Sequence, residues 1–318
     1  MKISVVMTSF NGASFIKEQM ESIRTQTVPA DEVIIADDHS SDSTATVINE
    51  YIKEHNLGNR WKLLINDSNQ GLVKNIQNGV RNTSGDIIFY ADQDDVWLPD
   101  KIKIIREAFL LQHDMMLLCS NYELVDKNLK KITYPSALKN GIKLNTTICR
   151  KRDLKYIYNT RNLAAQSMAF RRSLYNTMSS YYTDPYFFFD TMIATFAAAI
   201  DGFYTLDIPL TLYRQHDNNT SGFIYSPWQF SKKKYSRISA IEQQLFLLKN
   251  RLKMLELIDG IKDMNQIKKA TYICQKRLKL IRRRKVTDYI KLLCMRNPYL
   301  NKKWILGDVL YLLFRQFQ

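Results

Sequence analysis

Two short acidic runs carry the densest chemistry in this chain. In A-D-Q-D-D-V-W (Ala91–Trp97), Asp92 and Asp94 stand two residues apart, so in extended backbone both project to one side. Carboxylates that close repel unless a cation sits with them. Oxygen donors at a strand end suit Mg2+ or Mn2+, held by one or two carboxylates together with phosphate oxygens. A plainer reading makes Asp94 and Asp95 caps of the helix that follows near Leu98-Pro99. In A-D-D-H-S-S-D (Ala36–Asp42), Ser41 or Asp42 suits a helix N-cap. Asp37 and Asp38 directly follow an apolar run, where a carboxylate can accept a hydrogen bond from a base N–H.

A third acidic site is Asp190, inside the apolar run F-F-F-D-T-M (Phe187–Met192). Desolvation there raises a carboxyl pKa, which suits a general base for a hydroxyl; the alternative is an N-cap for a helix over 191–200. Neither G-x-G-x-x-G nor G-x-x-x-x-G-K-[ST] occurs, which disfavours dinucleotide dehydrogenases and P-loop NTPases. Any phosphate must then be met by a metal ion and by cations such as Lys74 or Arg214.

The elements that must position these groups are legible as alternating periods. Lys2–Thr8, Glu32–Ala36, Trp61–Ile65, Asp86–Ala91 and Met115–Cys119 are apolar, β-branched runs of strand length. Between them, residues 14–26, 43–56, 71–82 and 98–112 carry helix-type patterns, with Phe15, Met20 and Ile23 near one face and Ile102, Ile105 and Phe109 near another. Strands alternating with such helices predict βαβ units, a mostly parallel sheet and helices on both faces. Ligands of such sheets bind beyond the carboxyl ends of the strands, where T-S-F-N-G, A-D-D-H-S-S-D, N-D-S-N-Q-G and A-D-Q-D-D all fall.

Charge divides the 318 residues in two. Residues 1–222 carry 24 basic and 25 acidic side chains, whereas residues 223–318 carry 22 and 6. A composition of 45% hydrophobic and 24% charged residues excludes a disordered or collagen-like chain. No apolar stretch approaches the ~18 residues of a membrane span, no export signal is expected, and four scattered cysteines predict reduced thiols. The last third reads as helices. Ile238, Ile241, Leu245, Leu248, Leu252 and Leu255 form one heptad stripe, and Met264, Ile267, Thr271, Cys274, Leu278 and Ile281 form a second after Asp259-Gly260. Two domains are expected, 1–222 and 223–318, with Ser226–Trp228 near the boundary.

The ordered set of strand–T-S-F-N-G, strand–A-D-D-H-S-S-D, N-Q-G, strand–A-D-Q-D-D-V-W resembles the family 2 glycosyltransferases of GT-A fold, across residues 1–222. The segment Y-R-Q-H-D-N-N-T-S-G (Tyr213–Gly222) resembles the closing motif of their bacterial rhamnosyltransferase-like branch. The resemblance implies a GT-A type, Rossmann-like α/β sheet and a nucleotide-sugar site. Thr8, Phe10 and Asn11 would line the nucleoside, Asp38 would pair with a pyrimidine base, and Gln93 would join the donor-binding set. Asp92 and Asp94 would form the metal–diphosphate motif, His216 would close over the metal or diphosphate, and Asp190 would be the catalytic base. For His216, a plain structural histidine is the other reading. The chain departs from that branch at Phe189, where many relatives have His, and at L-A-A-Q-S-M-A-F (Leu163–Phe170), where they often carry Gly.

The expected reaction is metal-dependent, inverting transfer of a sugar, hexose or rhamnose, from a UDP- or dTDP-sugar. The acceptor is a hydroxyl of a saccharide or lipid-linked glycan in a growing bacterial surface polysaccharide. Two rivals use the same residues differently. A nucleotidyltransferase shares the fold but needs a Gly/Arg/Lys-rich loop that T-S-F-N-G lacks, and a nucleic-acid-binding protein would exploit the basic tail but has no matching motif. An anionic membrane surface is the better partner for that tail, through Arg282–Lys285, Lys302-Lys303 and the Trp304–Phe314 run. A homo-oligomer through the heptad stripes is also expected. The location expected is cytoplasmic, peripheral at the inner face of the cell membrane.

Overall fold

The structure is a computed structural model. It describes residues 1–132, 149–159, 163–179, 189–216 and 264–283, with residues 241–242, 245–246, 248–249, 252–253, 255–256, 258 and 261. The expected boundary Ser226–Trp228, residues 217–222 of the closing motif, Arg284, Lys285, Lys302, Lys303 and the Trp304–Phe314 run lie outside the described residues.

Five β-branched runs become strands, much as the periodicity predicts. β1 (Ile3–Ser9), β2 (Glu32–Asp37), β3 (Trp61–Ile65) and β4 (Ile87–Asp92) are joined through α1 (Ile16–Arg24), α2 (Thr44–Glu54) and α3 (Leu72–Arg81). β5 (Val96–Trp97), α4 (Lys101–Leu111) and β6 (Leu117–Val125) follow. Then come β7 (Cys149–Lys151), α5 (Leu154–Asn159), β8 (Met168–Arg171), α6 (Arg172–Ser179), α7 (Phe189–Ala199) and β9 (Phe203–Arg214).

The nine strands form one sheet in the order β3-β2-β1-β4-β8-β6-β9-β5, with β7 on β9. Pairing is parallel from β3 through β4 and again between β6 and β9. β8, β5 and β7 run antiparallel to their neighbours, so the sheet is mixed beyond β4.

β1 is buried along its whole length because both its faces are covered. Ile3, Val5 and Met7 join a core with Ile16, Met20 and Ile23 of α1, Ile48 and Tyr51 of α2, and Ile102, Ile105 and Phe109 of α4. On the opposite face α3 approaches so closely that a Cβ on Gly79 would lie 2.6 Å from Val6 Cγ1. Apolar burial of this kind stabilises by ~25 cal/mol per Å2, and it fixes the strand ends that carry polar residues. The chain leaves β1 for β2 on one side while β4 pairs on the other, which opens a crevice at the β1 end. Register then aligns chemistry across it: Thr8 pairs with Asp92 and Ser9 with Asp37.

Two compact units emerge. One comprises Met1–Arg152, Asn162–Ala197 and Asp201–Ile224, and the other Asp153–Arg161, Ala198–Ile200 and Tyr225–Gln318. In the second unit a helix spans Met264–Arg283 and buries Ile267, Ala270, Ile273, Cys274 and Ile281. Glu256 pairs with Lys268 and Glu242 with Arg282, so the 242–256 stretch runs antiparallel to that helix. Among the described residues no helix is long and apolar enough to cross a membrane.

Candidate active site

The loop after β1 is stitched to the loop after β2. Asn11 takes a left-handed backbone (φ 49°), which Asn tolerates better than bulkier residues. Its side-chain carbonyl accepts the Ser41 N–H at 2.8 Å, and its own N–H donates to Ser40 Oγ at 2.9 Å. The N-cap of α2 is Ser43, not Ser41 or Asp42, and its side chain makes no cap bond; Asp42, one residue earlier, accepts the Thr44 N–H at 2.9 Å. Asp37 accepts bonds from Ser9 Oγ (2.7 Å) and from the N–H and hydroxyl of Ser40 (2.8 and 2.6 Å).

Asp38 is buried and holds the N-Q-G segment. Its carboxylate accepts Asn66 Nδ2, the Gln70 N–H and the Gly71 N–H, each at 2.8 Å. A carboxylate offers about four lone-pair sites, so this set leaves about one for a further donor such as a base N–H. Gly71 sits at φ 83°, a conformation a β-carbon would strain. Phe10 projects its ring to solvent at the mouth of this region. Gln93 clamps the same loop: its carbonyl accepts the Phe10 N–H at 2.9 Å and its amide donates to the Phe10 carbonyl at 3.0 Å. Lys74 is exposed one turn into α3, outside this bonded set.

At the end of β4 the Tyr90 hydroxyl donates to Asp92 Oδ1 at 2.6 Å and accepts from Thr8 Oγ1 at 2.8 Å. Burial and the neighbouring charge of Asp94 push the Asp92 carboxyl up to about 7, with Asp190 adding to the rise and the Tyr90 bond opposing it. Asp190 is the second residue of α7, where its Oδ1 accepts the Thr191 N–H at 2.5 Å and its charge faces the helix N-terminus. The preceding Phe189 is buried, with its ring 6.0 Å from that of Tyr90 and 5.8 Å from that of Phe170. That packing brings Asp190 within electrostatic range of Asp92.

β9 delivers the remaining groups. It pairs with β5 through Val96–Leu212 and Trp97–Thr211, which carries residues 214–216 to Asp94 and Asp95. His216 Nε2 lies 2.8 Å from Asp94 Oδ2, and its ring stacks on Phe15 at 4.7 Å. The buried Arg214 guanidinium donates to the Asp94 carbonyl (2.7 Å), to the Lys127 carbonyl (2.6 Å) and to Glu18, and it lies 4.8 Å from the Phe15 ring centroid. Asp95 does not cap α4, which starts at Lys101 after Asp100. Its Oδ1 instead accepts the Arg214 N–H at 3.0 Å deep in the protein, because β9 supplies that donor from 119 residues away. Burial, then the charges of Asp94 and Asp92, holds the Asp95 carboxyl well above the usual range.

Sequence reasoning missed three participants. Tyr90 had a signal, since it lies two residues before Asp92 and shares its strand face. Lys101 is fully buried, with Nζ 2.6 Å from the Gln166 carbonyl, 2.8 Å from Thr211 Oγ1 and 4.0 Å above the Trp97 ring. Burial lowers its pKa to about 7 against the pull of Asp95 and Asp92. Its signal was a lysine at i, i+4 and i+7 spacing with Ile105 and Ala108, on the apolar stripe of α4. Glu18 had none, because its bond to Arg214 spans 196 residues.

One edge of the sheet therefore gathers Thr8, Asp38, Asp92, Asp94, Arg214 and His216, with Asp190 brought alongside by α7. Among the described residues no three His, Cys, Asp or Glu side chains converge as a ready metal cage, and Asp94 and His216 are bonded to one another.

Known proteins resemble this chain in sequence and fold. The sequence profile of Glycosyl transferase family 2 matches residues 4–178. A UDP-Glc:alpha-D-GlcNAc-diphosphoundecaprenol beta-1,3-glucosyltransferase of Escherichia coli is 29% identical over 146 residues, 43% of this chain and 55% of that protein. A putative teichuronic acid biosynthesis glycosyltransferase of Bacillus subtilis is 27% identical over 150 residues, 44% of this chain and 58% of that protein. The matches span about half the length of these curated relatives. In fold, the S. aureus TarS fragment 1-349 solved with UDP-GlcNAc superposes with a TM-score of 0.59 at 19% identity, over 84% of this chain and 70% of that one. A mannosyltransferase from Pyrobaculum calidifontis in complex with GDP-Man and Mn2+ gives 0.58 at 16% identity, over 99% of this chain and 75% of that one.

Proposed function

The chain belongs to glycosyl transferase family 2, and from that premise we propose that it moves a sugar from a UDP- or dTDP-sugar to a hydroxyl of a growing surface polysaccharide. One observation carries the reading: Phe189 packs on Tyr90, which ties Asp190 on α7 to the Asp92 strand end. A carboxylate base and a cluster of phosphate- or cation-binding groups thereby share one crevice.

Thr8, Phe10, Asn11 and Asp38 hold the nucleoside, Asp38 by accepting the base N–H and Phe10 through its exposed ring. Asp190 takes the proton of the attacking hydroxyl, whose pKa is far above 7 without such a base. With Asp190 as the one base and a single metal site, the displacement is direct and inverts the anomeric carbon. Gln93 and Arg214 act by positioning, since their polar atoms bond the Phe10 backbone and the Asp94 and Lys127 carbonyls.

Asp92, Asp94 and His216 are the groups that would hold a divalent cation, Mn2+ or Mg2+, once the His216–Asp94 contact gives way and their donor atoms converge. They are oxygen and imidazole donors, and the burial and then the neighbouring charge of Asp94 that raise the Asp92 carboxyl are what a cation offsets. When bound, such an ion stabilises the charge that develops on a departing diphosphate. The Mn2+ in the archaeal mannosyltransferase complex supports this assignment.

The E. coli relative's name specifies a UDP-Glc donor and a diphosphoundecaprenol acceptor, which supports a UDP-hexose donor, a lipid-linked acceptor and an enzyme peripheral to the cytoplasmic face of a membrane. The test is a panel of sugar nucleotides with Mn2+, Mg2+ or EDTA, read as release of nucleoside diphosphate with and without a polyprenyl-diphosphate saccharide. Release stimulated by acceptor and abolished by EDTA is expected. Release of pyrophosphate from a nucleoside triphosphate and a sugar phosphate would instead identify a nucleotidyltransferase.

A further inference from the structure

The Met264–Arg283 helix contains seven Lys or Arg and no Asp or Glu. One face is buried through Ile267, Ala270, Ile273, Cys274 and Ile281, and even Arg277 turns inward. The opposite face exposes Lys268, Lys269, Tyr272, Lys276, Lys279 and Arg282. Its two ends are neutralised, Lys268 by Glu256 at 3.7 Å and Arg282 by Glu242. Its middle is not: Lys269, Lys276 and Lys279 have no carboxylate partner among the described residues.

Like charges at i, i+3 spacing, as at Lys276 and Lys279, weaken a helix that has nothing to answer them. The antiparallel stretch adds exposed Lys249 and Lys253 rather than acidic compensation. Tyr272 lies amid the lysines, 49% exposed, with its ring 5.3 Å from the Lys276 ammonium. An amphipathic ring flanked by ammonium groups matches the headgroup depth of a bilayer.

We propose that this face docks on an anionic phospholipid bilayer, with Lys269, Lys276 and Lys279 as the charge contacts and Tyr272 as the interfacial anchor. The inference rests on the reading of a membrane-held acceptor and narrows it to one surface. The type of cation favours lipid over nucleic acid. Among the described side chains of the helix, the unpaired groups are lysines, point charges suited to a diffuse anionic plane, whereas the described arginines, which read phosphates bidentately, are buried (Arg277) or paired (Arg282).

The experiment uses the full chain and vesicles of phosphatidylcholine alone or mixed with phosphatidylglycerol, in co-sedimentation at low and high salt. Binding to the anionic vesicles, weakened by salt, is expected. The triple variant Lys269→Gln/Lys276→Gln/Lys279→Gln should lose about 100-fold in vesicle affinity, at roughly tenfold or less per lysine. Tyr272→Ala should lower the fraction that stays bound at high salt. Nucleoside diphosphate release from a soluble donor by the triple variant should match the parent, so loss of docking and failure of the transferase reading register separately. Equal binding to both vesicle types, an unaffected triple variant, or tighter binding to a 20-nucleotide RNA than to anionic vesicles would each overturn the proposal.

Discussion

The Tyr90 hydroxyl donates to Asp92 at 2.6 Å while Thr8 donates to it, so a side chain from β1 and one from the end of β4 share a single phenol. Register places Thr8 opposite Asp92, and the phenol bridges them. The Asp92 carboxylate is thereby oriented before any donor arrives.

Tyr90→Phe keeps the ring that packs on Phe189 and removes the bridge. A hydrogen bond to a charged group contributes about 1.5–3 kcal/mol, so binding of Mn2+ with nucleoside diphosphate should weaken by roughly ten- to a hundredfold. The melting temperature should fall by no more than several degrees, leaving the variant folded at 25 °C. Calorimetric titration beside a thermal melt separates the two, and an unchanged affinity would dissociate Tyr90 from the site.

Asp190→Asn should retain donor binding and lose transfer, because an amide cannot take the acceptor proton. The expected rate loss is about 10²–10⁴-fold at unchanged donor KM. Parent-like turnover on a competent acceptor would move the base elsewhere; Asp184, outside the described residues, and Asp201, just beyond α7, are the next carboxylates to try.

The layered core was legible because β1 to β4 and α1 to α4 obey simple periods, and the strand-end carboxylates were legible because such sheets bind ligands there. What surrounds those carboxylates was not. Arg214 reads in sequence as a phosphate ligand, yet its donors go to Asp94, Lys127 and Glu18, partners fixed only when β9 returns beside β5. Gln93 likewise reads as a donor contact, and its amide closes on the Phe10 backbone. Asp95 reads as a cap and is buried instead. In each case the deciding contact spans more than 80 residues, beyond the reach of local pattern.

Stability should track the titration of Asp92. Its pKa is about 7 in the folded chain against 3.8 for an unperturbed aspartate. A raised folded-state pKa gives stability that is full below about pH 4 and lost as pH rises through 7. Lys101, lowered from 10.5 to about 7, works oppositely: its contribution is lost as pH falls through 7. Asp92→Asn removes the first effect and, by lifting the pull of Asp92 off Lys101, deepens the second, which moves the difference the same way. The parent's melting temperature minus the variant's should therefore decline by a few degrees from pH 5 to pH 8 without metal. A difference flat across that range would refute the assignment.

Gly12 and Gln93 should behave as one unit. A Cβ on Gly12 would lie 2.0 Å from Gln93 Oε1, so Gly12→Ala must expel the amide and break both of its bonds to Phe10. Gly12→Ala alone should cost about 1–3 kcal/mol, two ordinary hydrogen bonds, and loosen donor binding. In a Gln93→Ala background the same change should cost almost nothing. A double-mutant cycle read by denaturant unfolding tests this, and additive effects would mean the two residues do not communicate.

Arg214 makes the sharpest prediction about stability. Its planar fork bonds two backbone carbonyls and Glu18 from a buried position beside Phe15. A lysine presents a single ammonium and cannot reach those acceptors in that geometry. Arg214→Lys should leave a buried carbonyl unpaired and cost about 1–3 kcal/mol, the range for a buried polar group without its partner. The loss should extend to chemistry, because the same guanidinium fixes the backbone of Asp94 next to His216. Thermal melts and Mn2+ titrations on Arg214→Lys should therefore fall together. Restored Mn2+ affinity at low temperature, where the variant is fully folded, would show that Arg214 supports only the fold and that Asp94 is positioned by other contacts.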